Sequence, residues 1–122
     1  MKDIAIITGT ILALIEEKKF QSLRDVLRTM QPVDVAMAAA ELTPQDLSLV
    51  FRLLPKDEAA DTFAEMDAES REELIRSFSD SELRDILEEL YIDDTVDMIE
   101  EMPAVLVGRI LEQSSPESRR LI

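Results

Sequence analysis

Asp93, Asp94 and Asp97 fall together in the most acidic part of the chain. On a helix, Asp93 and Asp97 stand four residues apart and share one face, with Cβ atoms about 5–6 Å from each other. Two carboxylates that converge in this way can hold one divalent ion. All the donors are oxygen, which suits Mg2+ or Ca2+ far better than zinc or copper. Mg2+ keeps several of its waters and takes only one or two carboxylates, so a sparse half-site fits it. The plainer reading is that acids in a first helical turn answer the positive end of the helix dipole and are otherwise merely solvated. No EF-hand loop competes, since no Asp-rich segment carries the central Gly that such a loop needs.

The acidity is local. Residues 57–101 hold 18 Asp or Glu against three Arg, a net −15, whereas the other 77 residues of the 122 sum to +1. The apolar positions of that stretch are needed for a core, so its carboxylates share an outer surface, many within the ~8 Å screening length at physiological salt. Such a surface repels itself unless cations collect on it. A total charge of −14 also argues against nucleic acid, whose phosphates require a basic face. Cations or basic proteins are the expected partners.

Absent residue types exclude further chemistry. Without Cys there is no disulfide, thiolate nucleophile or sulfur-bound metal, and without His the commonest general base is missing. Gly9 and Gly108 are the only glycines, so neither a Walker loop nor a dinucleotide fingerprint can be written, and nucleotide phosphates have no evident cradle. Catalysis by paired carboxylates would need a pocket that raises one pKa, and an exposed row of Asp offers none. The chain reads as a binding or regulatory domain rather than an enzyme.

A 12-residue repeat positions these groups. Bulky apolar residues recur at Met30, Leu42, Leu54, Met66, Phe78, Leu90 and Met102. Eight or nine places after each comes an apolar pair or near equivalent: Ala38-Ala39, Val50-Phe51, Thr62-Phe63, Leu74-Ile75, Ile86-Leu87, Met98-Ile99 and Ile110-Leu111. Twelve residues turn a helix through three turns and about 120° more, so one continuous helix could not keep this pattern on one face. The helix must break in every unit. Thr43, Pro55, Asp67, Ser79, Pro103 and Ser115 sit one step after a marker as caps or turn formers, Pro32, Pro44 and Pro116 fall at first helical positions, and Ser79 with Glu82 reads as a capping box. Met30, Met66, Met98 and Met102 occupy core positions as gap-fillers.

Short helices are marginal alone and must bury their stripes on neighbours. The expected fold is therefore all-α, a right-handed superhelix (α-solenoid) of about ten short helices: 4–18, 20–29, 32–41, 44–53, 56–65, 68–77, 80–90, 93–101, 104–113 and a last one from Pro116, cut short by Ile122. That ending suggests a piece excised from a longer protein. The segment from Ile4 to Ile15 is too short to span a bilayer, which needs ~20 residues. It reads as an amphipathic helix with Ile4, Ile7, Ile11, Leu14 and Ile15 on one face. A signal peptide is disfavoured because Asp3 cancels Lys2 and no small-residue cleavage site follows.

Particular strings carry a family resemblance. Leu53-Leu54-Pro55-Lys56-Asp57-Glu58-Ala59-Ala60-Asp61 and Ser79-Asp80-Ser81-Glu82-Leu83-Arg84-Asp85-Ile86-Leu87-Glu88-Glu89-Leu90 strongly resemble the cytosolic N-terminal domain of MgtE-type magnesium transporters. Gln31-Pro32-Val33-Asp34-Val35 is similar to the family's His-Pro-x-Asp-Ile/Leu element with Gln in place of His, and Asp93-Asp94-x-x-Asp97 follows the Leu-Glu-Glu-Leu run. The likeness runs from about Phe20 to the C-terminus. It implies a single domain over 1–122 on the cytoplasmic side of the membrane, followed in the family by a CBS domain and a dimeric transmembrane pore that this chain does not contain. It further implies a sensor, in which Mg2+ bridges acidic N-domain and CBS surfaces and favours pore closure. Family ligands carry over onto Asp61, Asp93 and Asp97, with Asp61 standing where the family can have the longer Glu. The alternative is an acidic helical-repeat adaptor without a metal role, comparable to the flagellar-motor switch proteins.

Overall fold

The structure, a computed structural model, describes residues 4–121. Lys2 and Asp3, which bear on the signal-peptide reading, and Ile122, where the last helix is expected to be cut, lie outside the described residues. Ten helices follow in order: α1 Ile4–Glu16, α2 Phe20–Arg28, α3 Pro32–Ala39, α4 Pro44–Leu53, α5 Lys56–Glu65, α6 Ala68–Ser77, α7 Asp80–Glu89, α8 Ile92–Glu101, α9 Ala104–Gln113 and α10 Pro116–Leu121. No strand occurs among the described residues.

The repeat has a simple stereochemical origin. From α4 to α8 each unit is a ten-residue helix followed by two corner residues. The first corner residue is the apolar marker, in extended backbone, with its side chain in or against the core. Leu54, Met66, Phe78, Leu90 and Met102 all end helices in this way, with ψ between 142° and 156°. The second corner residue caps the next helix. Thr43 accepts the Asp46 N–H at 3.2 Å, Asp67 accepts that of Ser70 at 2.7 Å, and Ser115 that of Ser118 at 3.1 Å. Ser79 and Glu82 form the reciprocal capping box. Each bond satisfies one of the orphan N–H groups of a helix start.

Boundaries differ from expectation mainly at α1. It ends at Glu16 rather than at residue 18 because Lys18 takes a left-handed conformation (φ 59°). The N–H of Lys19 then bonds to Leu14 O at 2.9 Å and that of Lys18 to Ile15 O at 3.0 Å, a Schellman closure that usually carries Gly. α2, α3 and α7 end one or two residues early, and α8 begins one residue early, at Ile92.

The odd-numbered helices α1, α3, α5, α7 and α9 stack in succession, while α4 lies on α6 and α6 reaches α9. This two-layered superhelix buries one continuous core. The expected pairs fill it: Ala38, Ala39, Val50, Phe51, Thr62, Phe63, Leu74, Ile75, Ile86, Leu87, Met98 and Ile110 are buried. The Phe51 and Phe78 rings meet edge-on, 6.2 Å apart. Met66 and Met98 are buried, and Met30 and Met102 pack against the core from its margin.

Candidate functional site

Cations from both flanks and from within reach into the acidic stretch. Arg52 of α4 binds Glu82 of α7 at 3.0 Å, Lys56 of α5 binds Asp85 of α7 at 3.4 Å, and Arg71 of α6 binds Glu101 of α8 at 3.1 Å. Arg109 of α9 binds Asp80 of α7 at 3.1 Å and also donates to the carbonyls of Ile75 and Phe78, so one guanidinium ties α9 to the end of α6 and the start of α7. Arg76 pairs with Glu72 within α6. The hydrogen bond from Arg52, aided by the Ser79 N–H, holds the Glu82 carboxyl below its ordinary range although partial burial pushes the other way.

Asp61, Asp93, Asp94 and Asp97 form none of these pairs. Asp93 and Asp97 are exposed on α8, the second and sixth residues of that helix, and so lie on one face as their spacing requires. α8 carries five carboxylates and no Lys or Arg. Asp61 is exposed on α5, in the odd-numbered layer. It lines a groove of about 430 Å³ together with Gln31, Pro32 and Val33 at the start of α3, Glu65, Glu89 and Asp94. Thus the Gln-Pro-Val element and Asp61 converge on one surface, and the α8 residue that joins them is Asp94, not Asp93 or Asp97. Tyr91, 76% exposed, stands at the rim.

Asp94, Glu65 and Glu89 are the groove residues that the sequence reading does not single out as ligands. Glu65 and Glu89 are two repeats apart, on α5 and α7, and helices two apart stack in the odd layer, so the repeat register holds the signal for that pair. Nothing comparable links Asp61 to Asp94.

The donor set fits a hard cation in part. Every available ligand is a carboxylate oxygen, as Mg2+ prefers. Among the described residues no group of three or more acidic side chains converges as a complete cage would. An ion on α8 would keep most of its water or complete its shell from another surface.

The sequence pattern of the MgtE intracellular N domain matches residues 30–122. The chain belongs to the MgtE intracellular N domain family. Its fold is similar to that of the cytosolic domain of the Mg2+ channel MgtE, solved in complex with ATP, at 28% identity and a TM-score of 0.79 over 93% of this chain and 47% of that one. It is also similar to the soluble part of a magnesium transporter, at 18% identity and a TM-score of 0.82 over 95% of this chain and 46% of that one. The second likeness concerns the fold alone. The chain thus spans slightly less than half the length of these solved relatives. No curated protein matches it. The MgtE family assignment agrees with the resemblance read from the sequence, and its intracellular placement with the expected side of the membrane. No described helix is long and apolar enough to cross a membrane. Gly9 and Gly108 lie inside α1 and α9 rather than in a phosphate-binding turn.

Proposed function

We propose that this domain is the Mg2+-responsive regulatory part of a magnesium channel or transporter. In this reading Asp93 and Asp97, with Asp61, supply the N-domain half of sites at which hydrated Mg2+ bridges to a CBS domain of the same polypeptide, within a homodimeric transporter. Bridging neutralises two acidic surfaces that otherwise repel. An ion that binds the compact arrangement better than the open one shifts the population toward it, and toward a closed pore. The observation that carries the reading is that Asp93 and Asp97 enter none of the ion pairs among the described residues, on a helix with no Lys or Arg of its own whose Glu101 is held by Arg71, in a chain of the MgtE N domain family. The lack of a three-carboxylate cage among the described residues supports a bridging role over a self-contained site.

The test is Asp93→Ala with Asp97→Ala in the full-length transporter. Closure that needs more Mg2+ supports the reading, and unchanged Mg2+-dependent closure sinks it. In the isolated domain, an amide-resolved NMR titration with MgCl2 against KCl at equal ionic strength should give saturable shifts centred on Asp93 to Asp97.

A second reading rests on the groove, where Asp61, Glu65, Glu89 and Asp94 lie beside exposed Tyr91. An adaptor would dock a basic segment there. Its binding should weaken with salt and show no preference for Mg2+ at matched ionic strength.

A further inference from the structure

Each helix from α3 to α10 starts after a corner residue, at positions 31, 43, 55, 67, 79, 91, 103 and 115. Thr43, Asp67, Ser79 and Ser115 cap the next helix with their side chains, and Pro55 and Pro103 stiffen the turn by their fixed φ. Gln31 and Tyr91 do neither. Five repeats apart in sequence, these two line the same groove. Gln31 stands on its α3 wall and Tyr91 on the wall made by the α7–α8 corner, with α5, which packs against both α3 and α7, as the floor. A local rule given up at two corners that share one groove marks a surface kept for a ligand rather than for the fold.

The chemistry of the groove says what that ligand is. Asp61, Glu65, Glu89 and Asp94 line it, no Lys or Arg does, and none of the four enters an ion pair among the described residues. They are too spread to hold one ion, since no three acidic side chains converge among the described residues. Positive charge distributed along a chain fits them better. The Tyr91 ring, exposed beside Glu89 and Asp94, and Val33, 47% exposed on the other wall, add apolar contact. Arginine suits this combination, because its guanidinium stacks on an aromatic face while its N–H groups reach carboxylates.

We propose that the groove docks a linear segment of a partner protein, rich in arginine and with an apolar residue beside it, one arginine lying on the Tyr91 ring. The inference rests on the second reading, in which a basic segment docks here, and gives that segment its chemistry. Asp93 and Asp97 are not among the groove residues.

Fluorescence anisotropy of the whole chain with a fluorescein-labelled nonapeptide of Arg-Arg-Leu repeats tests this, beside a Lys-Lys-Leu peptide of equal charge. The arginine peptide should bind more tightly. Tyr91→Ala and Tyr91→Leu should weaken it by about two- to fivefold, the size of an exposed cation–π contact, whereas Tyr91→Phe should keep it. Tyr91→Ser should weaken it while raising Tm, because serine caps α8. Asp61→Asn with Asp94→Asn should cost more affinity than Glu69→Gln with Glu73→Gln, an equal charge change at exposed positions of α6. Equal affinity for the two peptides, with no effect of Tyr91→Ala, overturns the proposal, and the second reading survives it if the groove double variant still binds less. Equal losses from the two double variants sink both, since the peptide then meets the acidic face diffusely. A lower Tm for Tyr91→Ser also overturns the proposal, by giving Tyr91 its role in the fold.

Discussion

Neutralising Asp97 should make the domain more stable. Three carboxylates without a protein cation surround it on α8: Asp93 four residues before, Asp94 three before and Glu100 three after. Glu101, four after, is tied to Arg71. Like charges at these spacings destabilise a helix by about 0.2–0.5 kcal/mol each, so Asp97 bears about 0.6–1.5 kcal/mol of repulsion at low salt. Lying past the first turn, it receives little return from the helix dipole. Asp93, the second helical residue, does, and a dipole contribution of about 0.3–1 kcal/mol offsets its own repulsion. Asp97→Asn removes a charge without changing helix propensity much. Thermal unfolding followed by circular dichroism in low salt with a chelator should show Tm rising by roughly 2–8 °C, while Asp93→Asn stays near neutral. Excess MgCl2 should then raise the wild-type Tm more than that of Asp97→Asn and close the gap. A fall in Tm for Asp97→Asn, or a gap that persists in Mg2+, would refute the claim that α8 holds uncompensated charge which the ion relieves.

Glu82→Ala removes both the reciprocal cap on α7 and the Arg52 pair, and urea unfolding should show a loss of about 1–2 kcal/mol. Because the folded-state pKa of Glu82 is lowered, its contribution is complete above the ordinary value of 4.5 and is lost as pH falls through the lower folded value. Acid titration of stability should accordingly be less steep below that pH for Glu82→Gln than for wild type. Lys18→Gly should stabilise the α1 end by about 0.5–1 kcal/mol, since Gly occupies the left-handed region without the Cβ clash that Lys meets there.

The helix count and the core were legible because one short sequence period encodes both. Each apolar marker ends a helix and enters or lines the core, and the residue after it begins the next helix. Reading Leu54, Met66 and Phe78 as equivalents therefore places corners and core together. The end of α1 was not legible, since nothing in Lys18 announces a left-handed residue where Gly is usual. Nor were the ion pairs between helices, which join residues 29 or 30 positions apart on elements that only the superhelix brings side by side. The candidate ligands divide in the same way. Asp93 and Asp97 share a face by local periodicity, whereas the meeting of Asp61 with Asp94 depends on how α5 lies against the α7–α8 corner.

The repeat also shows what the acidic pair by itself does not explain. Asp93 and Asp97 stand three and seven places after their marker, Leu90, and acids recur at those places as Asp57 and Asp61 on α5 and as Glu69 and Glu73 on α6. A carboxylate pair at these two register positions is thus common to three helices. What separates them is the surrounding charge: α5 contains Lys56 and α6 contains Arg71 and Arg76, whereas α8 contains no cation. If relief of uncompensated charge governs the response to Mg2+, Glu69→Gln with Glu73→Gln should leave the MgCl2-induced gain in Tm unchanged at matched ionic strength. Asp93→Asn with Asp97→Asn should reduce it. Equal reductions from both double variants would mean that Mg2+ acts as a diffuse counterion over the whole face, and the assignment to α8 would fail.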